Sequence, residues 1–86
     1  MKTVQTLAKA NNDMKLGNHQ VKHSKQEEGG RFFIYYSTAI CTVDDENKTF
    51  WIDASYGSQS TTRACVAYRK HFESEGYREI INLSKA

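Results

Sequence analysis

The sequence predicts an α+β domain: a small, mainly antiparallel sheet of three to four strands packed on one helix in the C-terminal half, with a short N-terminal helix. Three observations carry this expectation. The run Arg31-Phe32-Phe33-Ile34-Tyr35-Tyr36 is rich in aromatic and β-branched residues that fit a pleated surface. Two further strand-like runs, Ala39-Ile40-Cys41-Thr42-Val43 and Thr49-Phe50-Trp51-Ile52-Asp53, flank a charged turn at Asp44-Asp45-Glu46-Asn47-Lys48. Beyond them, Thr61, Ala64, Cys65, Tyr68 and Phe72 recur at helical spacing and are followed by Gly76.

Taken in order, Lys2 to Ala10 has Val4 and Leu7 at helical spacing among good helix formers, with Asn11-Asn12 as a stop. So short a helix is marginal alone, because nucleation costs more than one or two turns of hydrogen bonds return, and it exists only if Val4 and Leu7 dock on something. His19, Val21 and His23 then fall on one side of an extended segment, which reads as a weak edge strand. Glu27-Glu28-Gly29-Gly30 reads as a turn. In the hairpin that follows, alternation puts Ile40 and Thr42 opposite Cys41 and Val43, and Phe50 and Ile52 opposite Trp51, so both of its faces carry apolar side chains. Ala54 to Ser60 is a loop of small residues whose serines can cap a helix beginning near Thr61. Gly76 followed by Tyr77 matches a Schellman ending, and Tyr77 to Asn82 reads as a last short strand.

Eighty-six residues give room for one domain, 1–86, divided into a loosely packed N-terminal segment over 1–30 and a compact α+β core over 31–82. Twelve Lys and Arg against ten Asp and Glu leave a net charge of +2, which excludes both an acidic nucleic-acid mimic and a histone-like DNA coat. No run approaches the roughly 18 apolar residues of a membrane span, and the N-terminal residues lack the apolar core of a signal peptide, so the expected location is the cytoplasm with no membrane partner. Cys41 and Cys65 sit among apolar neighbours and read as two free thiols in a reducing compartment; a disulfide stays open if they face each other.

Candidate chemistry is sparse. His19 and His23 are too few for a closed zinc site, and the Asp44-Asp45-Glu46 cluster lacks the glycine and distant glutamate of a calcium loop, so no metal and no cofactor is expected. The acidic cluster reads instead as solvated charge at a hairpin tip. No nucleophile and base pair is in view, so no catalytic residue is assigned and the chain is read as a non-enzyme. Ten aromatics in so small a domain cannot all be buried, and Tyr35, Trp51 and Tyr56 are of the types enriched at binding surfaces. With Arg63, Arg69 and Lys70 as a charged rim, they form the candidate partner-binding set. The alternative is a small nucleic-acid-binding module using Lys22, Lys25, Arg31, Arg69 and Lys70 beside the aromatic strand. A homodimer burying the second hairpin face is compatible with either.

The stretch Tyr35-Tyr36-Ser37-Thr38-Ala39-Ile40, then a charged turn and a strand, then Tyr56 and Thr61-Thr62 opening a helix, resembles a group of short uncharacterised proteins of bacteriophages and other mobile elements. In that group a "Y-S-T-P-I-A"-like strand precedes a "Y-S-x-T-T-S"-like helix start. The resemblance covers roughly residues 33 to 72; Ala39 stands where proline is common, and Arg63 where serine is. It implies an accessory protein that acts by binding a host protein, of the host-takeover or anti-defence inhibitor type.

Overall fold

The computed structural model describes residues 2–24, 29–53 and 59–80. In chain order they form α1 (Lys2–Ala8), β1 (Met14–Leu16), β2 (His19–His23), β3 (Gly30–Tyr35), β4 (Thr38–Asp44), β5 (Thr49–Ile52), α2 (Gln59–Ser74) and β6 (Arg78–Glu79). All six strands belong to one sheet whose spatial order follows the sequence order. The α+β class therefore stands, but the sheet is larger than predicted and is mixed. β1 to β5 pair antiparallel, whereas β6 pairs parallel to β5, with Thr49 opposite Arg78 and Phe50 opposite Glu79. The parallel step follows from α2, whose sixteen residues carry the chain back along the sheet as a crossover connection requires.

Tight turns set the register. Leu16 faces His19 across the two-residue turn Gly17-Asn18, and Gly17 takes a φ of 61° at its first position, as a type II′ turn demands. Tyr35 faces Thr38 across Tyr36-Ser37, where Tyr36 adopts a φ of 59°, uncommon for a residue with a Cβ. The Tyr36 N–H donates to the Asn18 carbonyl at 2.8 Å, tying the two turns at one end of the sheet. β2, predicted as an edge strand, is thus second in the order. It is flanked by β1, a strand of three exposed residues, too short for its alternation to announce it.

One side of the sheet holds the core. Val21, Phe33, Cys41, Val43, Phe50 and Ile52 meet Val4, Leu7 and Ala8 of α1 and Ala64, Cys65, Tyr68 and Phe72 of α2 in a single buried cluster. The first thirty residues, expected to pack loosely, contribute Val4, Leu7, Ala8 and Val21 to it. Ile40 and Cys41 are adjacent yet both buried, against the predicted alternation. Phe33 pairs with Cys41 and Ile34 with Ala39, so Ile40 is the extra residue of a β-bulge that turns both side chains inward. Helix α2 ends as predicted: Gly76 has a φ of 87°, its N–H donates to the Glu73 carbonyl at 3.1 Å, and the Tyr77 N–H donates to the Phe72 carbonyl at 2.9 Å. The Tyr77 ring folds back to 5.2 Å from that of Phe72. Among the described residues no helix is long and apolar enough to cross a membrane.

Candidate binding surface

Because both helices lie on the side that holds Phe33 and Phe50, the residues alternating with these point away from them. Register sets Lys22, Phe32, Thr42 and Trp51 side by side across β2 to β5, and beside them Lys15, Gln20, Ile34 and Ala39 across β1 to β4. Glu79 of β6 turns to α2, where its carboxylate accepts from Arg69 Nε and Nη2 at 2.9 and 3.1 Å, so Arg78 and Ile80 on either side of it face the same way as Trp51. The result is a sheet face with an apolar centre that neither helix covers. Phe32 is 38% exposed and Ile80 48%, while Ile34, Thr42 and Trp51 are half-buried.

This arrangement divides the predicted partner-binding set. Trp51 lies on the open face. Tyr35 lies on the helix-covered face, half-buried against the core with ring centroids 4.6 Å from His19 and 4.7 Å from Tyr36. Arg63 and Lys70 are exposed on α2, on the far side of the sheet from Trp51, and Arg69 is held by Glu79. Tyr56 lies outside the described residues, as does Lys25. Of the cations considered for nucleic acid, Arg31 is only 8% exposed and its guanidinium is closed on Asp45, with Nε to Oδ2 at 2.7 Å and Nη2 to Oδ1 at 2.6 Å. Two arginines are thus engaged within the fold rather than offered to a phosphate backbone. Strict alternation along residues 31–35 was the signal that could have placed Phe32 and Ile34 on the free face.

The acidic cluster also has structural roles, a correction to its reading as solvated charge. Asp45 answers Arg31 and accepts a hydrogen bond from the Tyr77 hydroxyl at 2.5 Å. Asp44 accepts from the backbone N–H groups of Glu46 and Asn47 at 3.0 and 3.2 Å and from the Asn47 side-chain amide at 2.7 Å, which holds its carboxyl below the usual range. His23 is occupied by Asp13, whose Oδ1 lies 2.9 Å from its Nδ1 and also accepts its backbone N–H at 2.8 Å. His19 stacks on Tyr35 instead. Among the described residues no three His, Cys, Asp or Glu side chains converge as metal ligands. Cys41 and Cys65 are both buried and free, and burial raises both thiols above their ordinary pKa.

A polar cleft of about 370 Å³ opens beside the end of α1, bordered by Lys9, Asn11, His23, Arg31 and Asp45. A smaller one of about 240 Å³ lies between α1 and α2, beside Val4, Lys70 and His71. Neither presents an apolar lining with convergent polar groups of the kind that holds a small molecule. No protein-family model matches the chain, and no curated protein or solved structure does.

Proposed function

We propose that the protein is a non-enzymatic accessory protein of a bacteriophage or mobile element that acts in the host cytoplasm by binding a host protein, in host takeover or inhibition of defence. One observation carries this reading: both helices cover one face of the sheet and neither covers the other, where Phe32 and Ile80 are exposed and Ile34 and Trp51 half-buried. A contiguous exposed apolar surface of this sort marks an interaction site more often than an accident of folding. The likeness of residues 33 to 72 to small phage proteins supports the same reading.

Photo-crosslinking tests it. With benzoylphenylalanine at position 32 or 51, expression in a bacterial host should yield one discrete protein adduct. The same group at the exposed position 73 of α2 should not yield it. Absence of an adduct from the sheet positions, or the same adducts from all three, would refute the assignment. Adducts to nucleic acid from position 32 would instead favour the alternative module, for which the placement of Lys22 directly beside Phe32 is the supporting feature.

A further inference from the structure

We infer that the open sheet face receives an acidic protein surface with an apolar centre, and not a second copy of this chain; this rests on the protein-binding reading above. Lys15 and Lys22 border the apolar centre on the β1–β2 side and Arg78 borders it on the β6 side. Asp44 is the one carboxylate among the described strand residues of this face, and its oxygens already accept three hydrogen bonds from Glu46 and Asn47. Among the described strand residues the face is therefore cationic at both margins, and its one carboxylate is already engaged.

A second copy packed face to face must be related by a two-fold axis lying between the two sheets. With that axis along β4, β2 of one copy lies over β6 of the other and Lys22 comes within one two-residue step of Arg78. With the axis across the strands, β2 lies over β2 and Lys22 faces Lys22. Either arrangement sets like charges together at the rim of the contact, which disfavours pairing. A carboxylate-bearing surface meets both margins with opposite charge and gains in encounter rate as well.

Nucleic acid is acidic too, but the centre of this face suits it less. Single strands are held by stacking on aromatic rings along a positively charged groove. Here Ile34, Ala39 and Ile80 offer no π-face, Phe32 and Trp51 stand two strands apart, and Arg31 and Arg69 are engaged with Asp45 and Glu79. Aliphatic and aromatic side chains of a protein fill such a centre without that requirement.

The test is a backbone-amide NMR titration of the full chain with three probes: an amphipathic peptide alternating Leu and Glu, its Lys counterpart, and a thymidine oligonucleotide. The acidic peptide is expected to shift the amides of Lys22, Phe32, Thr42 and Trp51, and the lysine peptide to leave them in place. Raising the salt concentration should weaken the effect. The triple variant Lys15→Glu, Lys22→Glu, Arg78→Glu, made at exposed positions, should keep the native spectrum and bind the acidic peptide about tenfold more weakly, as three rim pairs would imply. Equal response to both peptides would overturn the charge argument while leaving the apolar face as a protein-binding surface. Tighter binding of the oligonucleotide, or concentration-dependent dimerisation that shifts the same amides, would overturn it in favour of nucleic acid or of a second copy. Silence of this face towards every probe, with crosslinking also absent, would remove the protein-binding reading itself.

Discussion

Arg31 and Asp45, fourteen residues apart, form a two-point ion pair of 2.7 and 2.6 Å at the place where four segments of the chain converge. Arg31 belongs to β3 and Asp45 to the turn between β4 and β5. Arg31 Nη1 also donates to the Ala8 carbonyl at 2.5 Å, and its guanidinium carbon lies 5.5 and 5.4 Å from the ring centres of Phe33 and Phe72. The Tyr77 hydroxyl, just past α2, closes on the same carboxylate. Helix α1 has seven residues and cannot persist alone. Arg31 satisfies one of its last carbonyls and sets a positive charge at the negative end of its dipole.

Replacing Arg31 with Met therefore leaves Asp45 partly buried without its cation and the Ala8 carbonyl without its donor. The expected cost is about 3 kcal/mol, within the range for breaking one side of a buried pair. Glu79→Gln weakens an ion pair in which Arg69 remains more than a third exposed and should cost less than about 1 kcal/mol. Urea denaturation of the two variants checks the contrast. Equal midpoints would show that Arg31 does not hold the four segments together.

Tyr68 offers a change in the opposite direction. Its side chain is fully buried against Phe33, with ring centroids 4.7 Å apart, and its hydroxyl has no hydrogen-bond partner. A buried polar atom left unpaired costs about 1–3 kcal/mol relative to water. Tyr68→Phe removes that atom and keeps the ring, so it should be neutral or stabilising by up to about 1 kcal/mol. A loss of more than about 1 kcal/mol in thermal or urea unfolding would mean that the hydroxyl has a partner in solution.

The helical part of this fold was legible because its signals are local. Val4 and Leu7, and the stripe from Thr61 to Phe72, are contacts of low sequence separation written at 3.6-residue spacing, and Gly76 followed by Tyr77 is a complete stop signal. The three strands from Arg31 to Ile52 were equally plain. What escaped is what long-range pairing decides. β1 is three exposed residues, too few to show a period, and exists because β2 offers it an edge; β6 falls within the last strand that the sequence announces, but its parallel pairing with β5 has no local signal. The bulge at Ile40 cannot be read from a Thr-Ala-Ile-Cys-Thr-Val run that alternates as well without it. The candidate surface was half legible: residue type alone points to Trp51, but the side of the sheet that α2 covers is a tertiary choice, and it separates Trp51 from Arg63 and Lys70.

Stability should fall in acid in two stages. Burial lowers the pKa of His19, whose Nδ1 has no partner, and of His71, which Lys9 and Arg31 lower further against the opposing effect of Glu75. Both rings are held neutral in the folded chain below the ordinary imidazole value of 6.5, at which the unfolded chain begins to take up protons. Their contribution is therefore present above that pH and is lost as pH falls below it. Hydrogen bonds from His23 hold Asp13 low, and those from Asn47 and Glu46 hold Asp44 low, so that stability dependent on them is kept above about 3.8 and is lost below it. Thermal unfolding followed from pH 8 to pH 3 should be flat at first, decline from about 6.5, and decline again below about 4. His19→Phe, which keeps a ring against Tyr35, should shrink the first decline. An unchanged midpoint down to pH 5 would contradict the burial of both imidazoles.

Phe32 and Phe33 are neighbours in sequence with opposite duties, and the pair separates folding from binding. Phe33 is fully buried, packs on Tyr68 and Phe72, and lies beneath the Arg31 guanidinium. Phe33→Ala should cost about 3–5 kcal/mol, the range for truncating a core aromatic, and leave the domain close to unfolding. Phe32→Ser removes a ring that is already more than a third in water and touches no core residue's face of the sheet, so the urea midpoint should move by less than about 1 kcal/mol equivalent. Partner capture should respond in the reverse order. The serine variant, folded as the native chain, should lose the protein crosslinked from position 51, since an aromatic at the centre of a contact is the type of residue that carries binding energy. If Phe32→Ser unfolds the chain, the open face is part of the core. If it folds and still captures the partner at native yield, the binding surface lies elsewhere.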